Sequence, residues 1–80
     1  MEFVATEKNK EVSLVEGLNY LIKNKSDKLY SDGLDQNEYI YYDSTRGFCY
    51  EDGCVIGSTF NQTVNVLISL KWVLNHKFYI

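Results

Sequence analysis

The side chains best suited to chemistry in this chain are aromatic and cationic, and many of them lie in one tyrosine-rich stretch. Residues 38–57, EYIYYDSTRGFCYEDGCVIG, hold four of the seven tyrosines and the only arginine, Arg46. Aromatic faces stack on bases, and guanidinium, ammonium and amide groups donate hydrogen bonds to anions such as phosphate. The sequence therefore predicts a ligand-binding surface made of Tyr39, Tyr41, Arg46, Asn61, Lys71 and Trp72.

This predicted surface is centred on Tyr41 and Arg46, and a second subunit is expected to complete it. A plainer interpretation stays open beside it. Aromatic strand residues most often serve packing, Arg46 lies in a predicted turn where solvation is ordinary, and Trp72 suits a core position.

Residue types that usually carry catalysis are present but scattered. His76 is the only histidine and has no evident nucleophile partner, and no Gly-rich phosphate loop occurs. Cys49, Cys54 and His76 lack the clustered spacing of a zinc site. We therefore expect binding without turnover, and neither a metal nor a cofactor.

The two cysteines are expected to stay reduced. A two-residue type I′ turn at Asp52-Gly53 would pair Glu51 with Cys54 and leave Cys49 diagonal to Cys54. That register does not suit a strain-free disulfide, so both residues are expected to act as small apolar side chains.

Length and composition limit the architecture and the function classes. Eighty residues allow one domain, 1–80, because so short a chain cannot divide its buried surface between two cores. An apolar fraction of 45% exceeds what one small core hides, so a homo-oligomer is expected. The net charge of −3 argues against binding to a nucleic-acid backbone. No apolar run suits a membrane span and no signal sequence is evident, which predicts a cytoplasmic protein.

Alternation and turn residues predict an antiparallel meander in the tyrosine-rich stretch. Its strands are expected at 38–43, 47–51 and 54–57, joined by the turn sequences DSTRG and DG. Alternation puts Tyr39 and Tyr41 on one face and Ile40 and Tyr42 on the other. Which of these faces is buried stays open.

The clearest helix signal begins at Ser13. Ser13 and Glu16 form an S-x-x-E capping box, in which each side chain satisfies a free backbone N–H at the helix start. One apolar stripe of helical period follows, made of Leu14, Leu18, Leu21 and Ile22. We expect a helix from about Leu14 to Asn24, and Gly17 within it suggests that another backbone approaches closely.

The segments around this helix are shorter and more ambiguous. Phe3, Val4 and Ala5 suit either an edge strand or a loose arm, and Leu29 and Tyr30 suit a brief strand. Residues 31–38, rich in turn formers, are expected to form an irregular loop at the rim of the site.

The C-terminal third fits two periodicities. Residues 62–70 suit a helix or a strand, and we favour a short helix that Asn61 caps and that ends near Ser69. Terminal strands are then expected at Lys71–Leu74 and Phe78–Ile80. The predicted fold is α+β: an N-terminal amphipathic helix packed on a small antiparallel β-meander, with a short late helix and a C-terminal strand.

The order of these segments resembles a known family. The arrangement resembles that of small phage-encoded proteins of the Thoeris anti-defence class. It consists of the helix segment SLVEGLNYLIKNK, the tyrosine-rich stretch and the closing block LISLKWVL. The resemblance implies an oligomeric sponge that binds a cyclic nucleotide or cyclic ADP-ribose immune signal without altering it, in the host cell cytoplasm. The chain departs from the family pattern after the helix, where Asn24-Lys25 stands in place of Gly-Lys, and before the tryptophan, where Leu70-Lys71 replaces an acidic pair.

A second function is also compatible with the residues. An exposed tyrosine-rich face has the composition of a protein interface, so the chain could instead be a small inhibitor or accessory protein that binds a host protein. Binding of an intact small molecule separates the first hypothesis from the second.

Overall fold

Short strands and two helices alternate along the chain. The computed structural model describes residues 3–80. Its elements, in chain order, are β1 (Glu11–Val12), α1 (Leu14–Lys23), β2 (Tyr30–Ser31), β3 (Ile40–Asp43), β4 (Gly47–Tyr50), β5 (Val55–Gly57), α2 (Phe60–Ser69), a 3₁₀ helix (Trp72–Asn75) and β6 (Phe78–Tyr79). The strands form two antiparallel three-stranded sheets, ordered β1-β6-β2 and β3-β4-β5. The predicted α+β class, with a helix on a meander, is confirmed.

The meander β3-β4-β5 has one face in the core. Ile40 and Phe48 are fully buried there, and Tyr42 packs against them, as alternation along β3 requires. Tyr39 and Tyr41 therefore point to the other side of the sheet. The sequence did not decide which face of the meander is buried, and the structure shows that it is the face that carries Ile40 and Tyr42.

The second hairpin differs from its predicted register by one residue. The Tyr50 N–H donates to the Cys54 carbonyl at 2.9 Å, and Cys49 lies opposite Val55. The connection therefore has three residues instead of two, with Gly53 at φ 89°, a conformation that favours glycine. A β-bulge in the β4-β5 ladder accompanies this shift. Both cysteines are free, Cys49 buried and Cys54 exposed.

The second sheet, β1-β6-β2, was not predicted as a sheet. β6 lies in its centre and pairs Phe78 with Val12 on one side and with Ser31 on the other. The predicted strand at Phe78–Ile80 is confirmed for Phe78–Tyr79, whereas the predicted strand at Lys71–Leu74 is wrong. The residues after Lys71 form the 3₁₀ helix Trp72–Asn75 instead, because Lys71 adopts φ 61° and turns the chain.

Helix α1 is confirmed together with its cap. The Ser13 hydroxyl accepts from the Glu16 N–H at 3.1 Å, and Glu16 Oε1 accepts from the Ser13 N–H at 3.0 Å. A Cβ at Gly17 would lie 2.6 Å from Leu29 Cδ1, so the close neighbour is a side chain and not the predicted backbone. The stripe residues Leu18 and Leu21 are fully buried.

Helix α2 confirms the helical alternative for residues 62–70 but not its predicted cap. Thr59 is the N-cap, and its hydroxyl accepts from the Gln62 N–H at 3.2 Å, while Asn61 lies inside the first turn. The helix ends at Ser69, as expected. It packs against β4 and β5, where Gly57 lets the backbone of Thr63 approach.

Residues 3–10, which precede β1, form neither a strand nor a helix. The Phe3 N–H donates to the Leu34 carbonyl at 3.0 Å, which attaches this segment to the 31–38 loop. That loop is formed of turns, as predicted. Within residues 3–80, no helix has the length and apolar character needed to cross a membrane.

Candidate functional site

The side of the meander that faces away from the core carries a row of aromatic rings. Tyr39 and Tyr41 lie two residues apart on β3 and its lead-in, with ring centroids 6.2 Å apart. Tyr30 of β2 extends the row, 6.3 Å from Tyr39, and Phe3 stacks on Tyr30 at 4.8 Å with an interplanar angle of 5°. The row therefore joins the meander to the second sheet.

Arg46 is anchored beside this row by its own turn. Asp43 Oδ1 accepts from the N–H groups of Thr45 at 2.7 Å and Arg46 at 3.0 Å, which shapes the first hairpin. Arg46 Nη2 then donates to Tyr41 Oη at 3.0 Å, and Nη1 donates to the Gly53 carbonyl at 3.3 Å. The guanidinium thus links both hairpins, and we call the surface of Tyr39, Tyr41 and Arg46 the tyrosine face.

The electrostatics of the tyrosine face follow from these contacts. Hydrogen bonds from the Thr45 and Arg46 N–H groups lower the pKa of Asp43, so this carboxylate stays charged. Partial burial raises the pKa of Tyr41, and the charge of Arg46 opposes this rise. Arg46 Nε lies 3.7 Å from Asp43 Oδ2, an ion pair within the turn, and the Arg46 side chain is still 49% exposed, so an anion can reach it from the solvent side.

A hollow beside the tyrosine face adds two basic side chains that sequence reasoning did not assign to the site. It has a volume of about 280 Å³, and two lysines and two carboxylates line it together with two tyrosines: Lys25, Lys28, Asp27, Glu51, Tyr39 and Tyr41. Lys28 Nζ lies 4.5 Å from the centroid of the Tyr39 ring, a cation–π contact. The signal was available, because lysines cluster directly after α1, but it also fits their interaction with the helix dipole.

Three of the predicted site residues lie elsewhere. Asn61 is in the first turn of α2, Lys71 joins α2 to the 3₁₀ helix, and neither lines the hollow. Trp72 packs near Phe78, with ring centroids 6.1 Å apart. The structure therefore brings together Tyr39, Tyr41 and Arg46 and leaves the other three apart.

The surroundings of Trp72 differ in charge from the tyrosine face. Trp72 lines a separate hollow with Tyr50 and with three carboxylates, Glu38, Glu51 and Asp52. Burial, followed by the charges of Glu38 and Glu51, raises the pKa of Tyr50. This hollow disfavours an anion, because the ligand would meet like charge.

His76 has a structural partner. Its Nδ1 lies 3.0 Å from Asp32 Oδ1, which also accepts from the Lys77 N–H at 2.9 Å. These contacts hold the end of the 3₁₀ helix against the turn after β2. Among residues 3–80, no group of three or more His, Cys, Asp or Glu side chains is placed to hold a metal ion.

Comparison of the chain with family models, curated proteins and solved structures found no match. The fold and the surface chemistry are therefore the basis for a functional proposal.

Proposed function

We propose that this chain is a non-catalytic binding protein that sequesters an anionic nucleotide signal, of the cyclic nucleotide or cyclic ADP-ribose class, on the tyrosine face. The observation that carries the proposal is the contact between Arg46 and Tyr41, which holds a half-exposed arginine side chain beside partly exposed aromatic rings. A nucleotide needs such a pair, a π face for its base and a charged donor for its phosphate.

The neighbouring lysines extend this match. Lys25 and Lys28 border the hollow next to the tyrosine rings, and Lys28 lies over the ring of Tyr39. The carboxylates Asp27 and Glu51 also line the hollow, so the contact with an anion depends chiefly on Arg46. At about 280 Å³ the hollow is slightly below the roughly 300–1,000 Å³ of usual small-molecule sites. The ligand therefore rests partly on the half-buried aromatic row or against a second subunit.

The biological role follows from the resemblance described above. Binding without chemistry would withhold an immune signal from its effector, which is an anti-defence activity of a phage protein in the host cytoplasm. Titration calorimetry with cyclic ADP-ribose and cyclic di-GMP tests the proposal. We expect saturable binding of at least one probe, and chromatography after release should recover that probe intact. Absence of binding for both probes, or recovery of a hydrolysed product, would contradict it.

Arg46→Ala is the sharpest variant for this site. Loss of the charge-assisted contact should weaken binding by about tenfold to over a hundredfold, equivalent to roughly 1.5 to 3 kcal/mol. Arg46→Lys keeps the charge but loses the planar fork, so its affinity should lie between the two. Lys8→Ala is the matched control, because Lys8 is an exposed cation in the N-terminal turn. Equal affinities for Arg46→Ala and Lys8→Ala would place the ligand elsewhere.

The aromatic row also favours a second candidate, binding of a host protein. The row extends beyond the hollow, because it also includes Phe3 and Tyr30. Tyrosine is enriched at protein interfaces. In that case Tyr41→Ala should abolish co-purification of a host protein, and nucleotides should never bind. Nucleotide binding by the parent chain rejects this candidate.

A further inference from the structure

The turn that follows α1 places one carboxylate beside two hollows. The hollow at the tyrosine face and a smaller hollow of about 220 Å³ share three lining residues, Ser26, Asp27 and Lys28. Tyr39 lines the first hollow and Tyr30 lines the smaller one, and the centroids of these two rings are 6.3 Å apart. The carboxylate of Asp27 therefore belongs to the border of both hollows, next to the aromatic row.

Two hydrogen bonds fix Asp27 in this place. Its backbone N–H donates to the Asn24 carbonyl at 2.9 Å, which closes the turn. The hydroxyl of Tyr20, in the last turn of α1, donates to Asp27 Oδ2 at 2.5 Å. This hydrogen bond raises the pKa of Tyr20, so the phenol remains a donor at neutral pH.

The other oxygen of this carboxylate is available to a ligand. No N–H or O–H group of residues 3–80 donates to Asp27 Oδ1, and no Lys or Arg of this range forms an ion pair with the carboxylate. Asp27 is half-buried, so it is partly withdrawn from water. An ionised carboxylate only accepts hydrogen bonds, and its two oxygens have about four acceptor positions. Oδ1 is therefore open, and Oδ2 keeps a position beside the bond from Tyr20.

The charges along the aromatic row favour one orientation of a nucleotide. Arg46 lies beside Tyr41 at one end of the row, whereas Asp27 borders the hollows farther along it, near Tyr39 and Tyr30. A phosphate next to Asp27 would meet like charge, but next to Arg46 it would gain a charge-assisted hydrogen bond. The phosphate therefore belongs at Arg46, and the edge of a base belongs at Asp27.

An acceptor-only carboxylate distinguishes between purines. The Watson–Crick edge of guanine presents two adjacent donors, N1–H and the 2-amino group, whereas adenine presents its 6-amino donor beside the acceptor N1. We infer that Asp27 selects a guanine base in the proposed nucleotide site by accepting from both of these donors. Adenine is disfavoured, because its N1 lone pair would face a carboxylate oxygen. This inference rests on the proposed function and narrows its ligand class to guanine nucleotides.

The test is calorimetric titration of the full chain with three probes, cyclic di-GMP, cyclic di-IMP and cyclic di-AMP. Cyclic di-IMP keeps N1–H but lacks the 2-amino groups, so its affinity should lie between those of the other two. We expect cyclic di-GMP to bind roughly tenfold to a hundredfold more tightly than cyclic di-AMP, the discrimination of a bidentate contact to a base.

Three variants make the result specific to Asp27. Asp27→Asn keeps the shape of the side chain but replaces one acceptor with a donor, so the preference for guanine should disappear. Tyr20→Phe removes only the hydroxyl that positions Asp27, and it should reduce the preference. Glu51→Gln is the matched control, because Glu51 lines the hollow at the tyrosine face but not the smaller one. It should change the affinities for all three probes alike and keep their ratios.

The outcomes separate this inference from the proposed function. If neither these probes nor cyclic ADP-ribose binds, both are overturned. If the parent binds cyclic di-GMP and cyclic di-AMP equally, or binds cyclic ADP-ribose alone, the chain still sequesters nucleotides and only the selection by Asp27 is wrong. The same conclusion holds if Asp27→Asn retains the preference of the parent, or if Glu51→Gln loses it.

Discussion

Helices α1 and α2 have the same length, yet the chain uses them differently. Each has 10 residues and begins at a hydroxyl cap, Ser13 or Thr59. Most of the apolar stripe of α1 turns toward the core, whereas α2 buries Thr63 and Leu67 and leaves Val66 and Ile68 exposed. Apolar side chains beyond the needs of the internal core are those that a partner can cover.

The helices also differ in the kind of atom that lies closest at their glycine contacts. A Cβ at Gly57 would lie 2.6 Å from the backbone nitrogen of Thr63 in α2. At Gly17 in α1 the nearest atom, also at 2.6 Å, is Cδ1 of the Leu29 side chain. A side chain can rotate away from a new methyl group, but helical backbone cannot.

The largest expected effect tests this difference. Gly57→Ala should cost about 1–3 kcal/mol of unfolding free energy, because α2 must move away from β5. Gly17→Ala should cost less, since alanine gains about 1 kcal/mol in helix propensity and Leu29 can adjust. Urea unfolding of both variants measures the two losses of stability. Equal losses would show that both glycine contacts are equally intolerant of a methyl group.

The caps provide the second comparison. Ser13→Ala and Thr59→Ala should each cost about 1 kcal/mol, because each removes the acceptor of a helix-start N–H. Ser13→Thr and Thr59→Ser are the controls and should retain most of the stability. An unchanged unfolding midpoint for Ser13→Ala would contradict the cap on α1.

The helix ends differ in backbone strain. Lys71, just beyond α2, has φ 61°, whereas Asn24, at the end of α1, has φ −130°. Lys71→Gly should raise the unfolding free energy by about 1 kcal/mol, because glycine adopts this conformation without steric cost. Lys71→Ala retains a Cβ and should give no gain, and Asn24→Gly should lose stability. A destabilised Lys71→Gly variant would show that this backbone is unstrained.

The parts of the fold predicted correctly depend on neighbours in sequence. The capping box of α1 and the first meander turn follow from residues three to five apart, and both are confirmed, whereas the second turn is one residue longer than predicted. The sheet β1-β6-β2 pairs Glu11 with Tyr79, and two-residue strands so distant carry no local periodicity. The cap of α2 was missed although Thr59 and Gln62 match the T-x-x-Q pattern, because Asn61 is itself a good cap residue.

The candidate site shows the same division. The contact between Tyr41 and Arg46 spans one hairpin, so alternation and the turn sequence were enough to place these residues together. Lys28 reaches Tyr39 from another element, and Trp72 faces a different hollow, since the 3₁₀ helix replaces the expected strand. Local rules therefore predict the centre of the surface, and long-range packing decides its border.

The smallest expected effect is a difference between the two helix caps in how the stability of the fold depends on pH. The Ser13 N–H, followed by the Ser13 hydroxyl, lowers the pKa of Glu16 below its ordinary value of 4.5. A carboxyl group with a lowered folded-state pKa stabilises the fold above its unfolded-state pKa, and this contribution disappears as the pH falls through the folded-state value. In α2 the corresponding acceptor is Gln62 Oε1, 3.1 Å from the Ser58 nitrogen, and an amide does not titrate in this range.

We therefore expect Glu16→Gln to lose less stability than the parent as the pH falls from about 7 to about 3. Gln62→Glu should do the opposite, because it gives α2 an ionisable cap of its own. Asp43 also has a lowered pKa and adds acid sensitivity of the same sign, but it is present in all three chains and cancels in their differences. Urea unfolding across this pH range is the measurement. Parallel curves for the parent and Glu16→Gln would mean that the charge of Glu16 contributes nothing to the cap, and α1 and α2 would then begin in the same way.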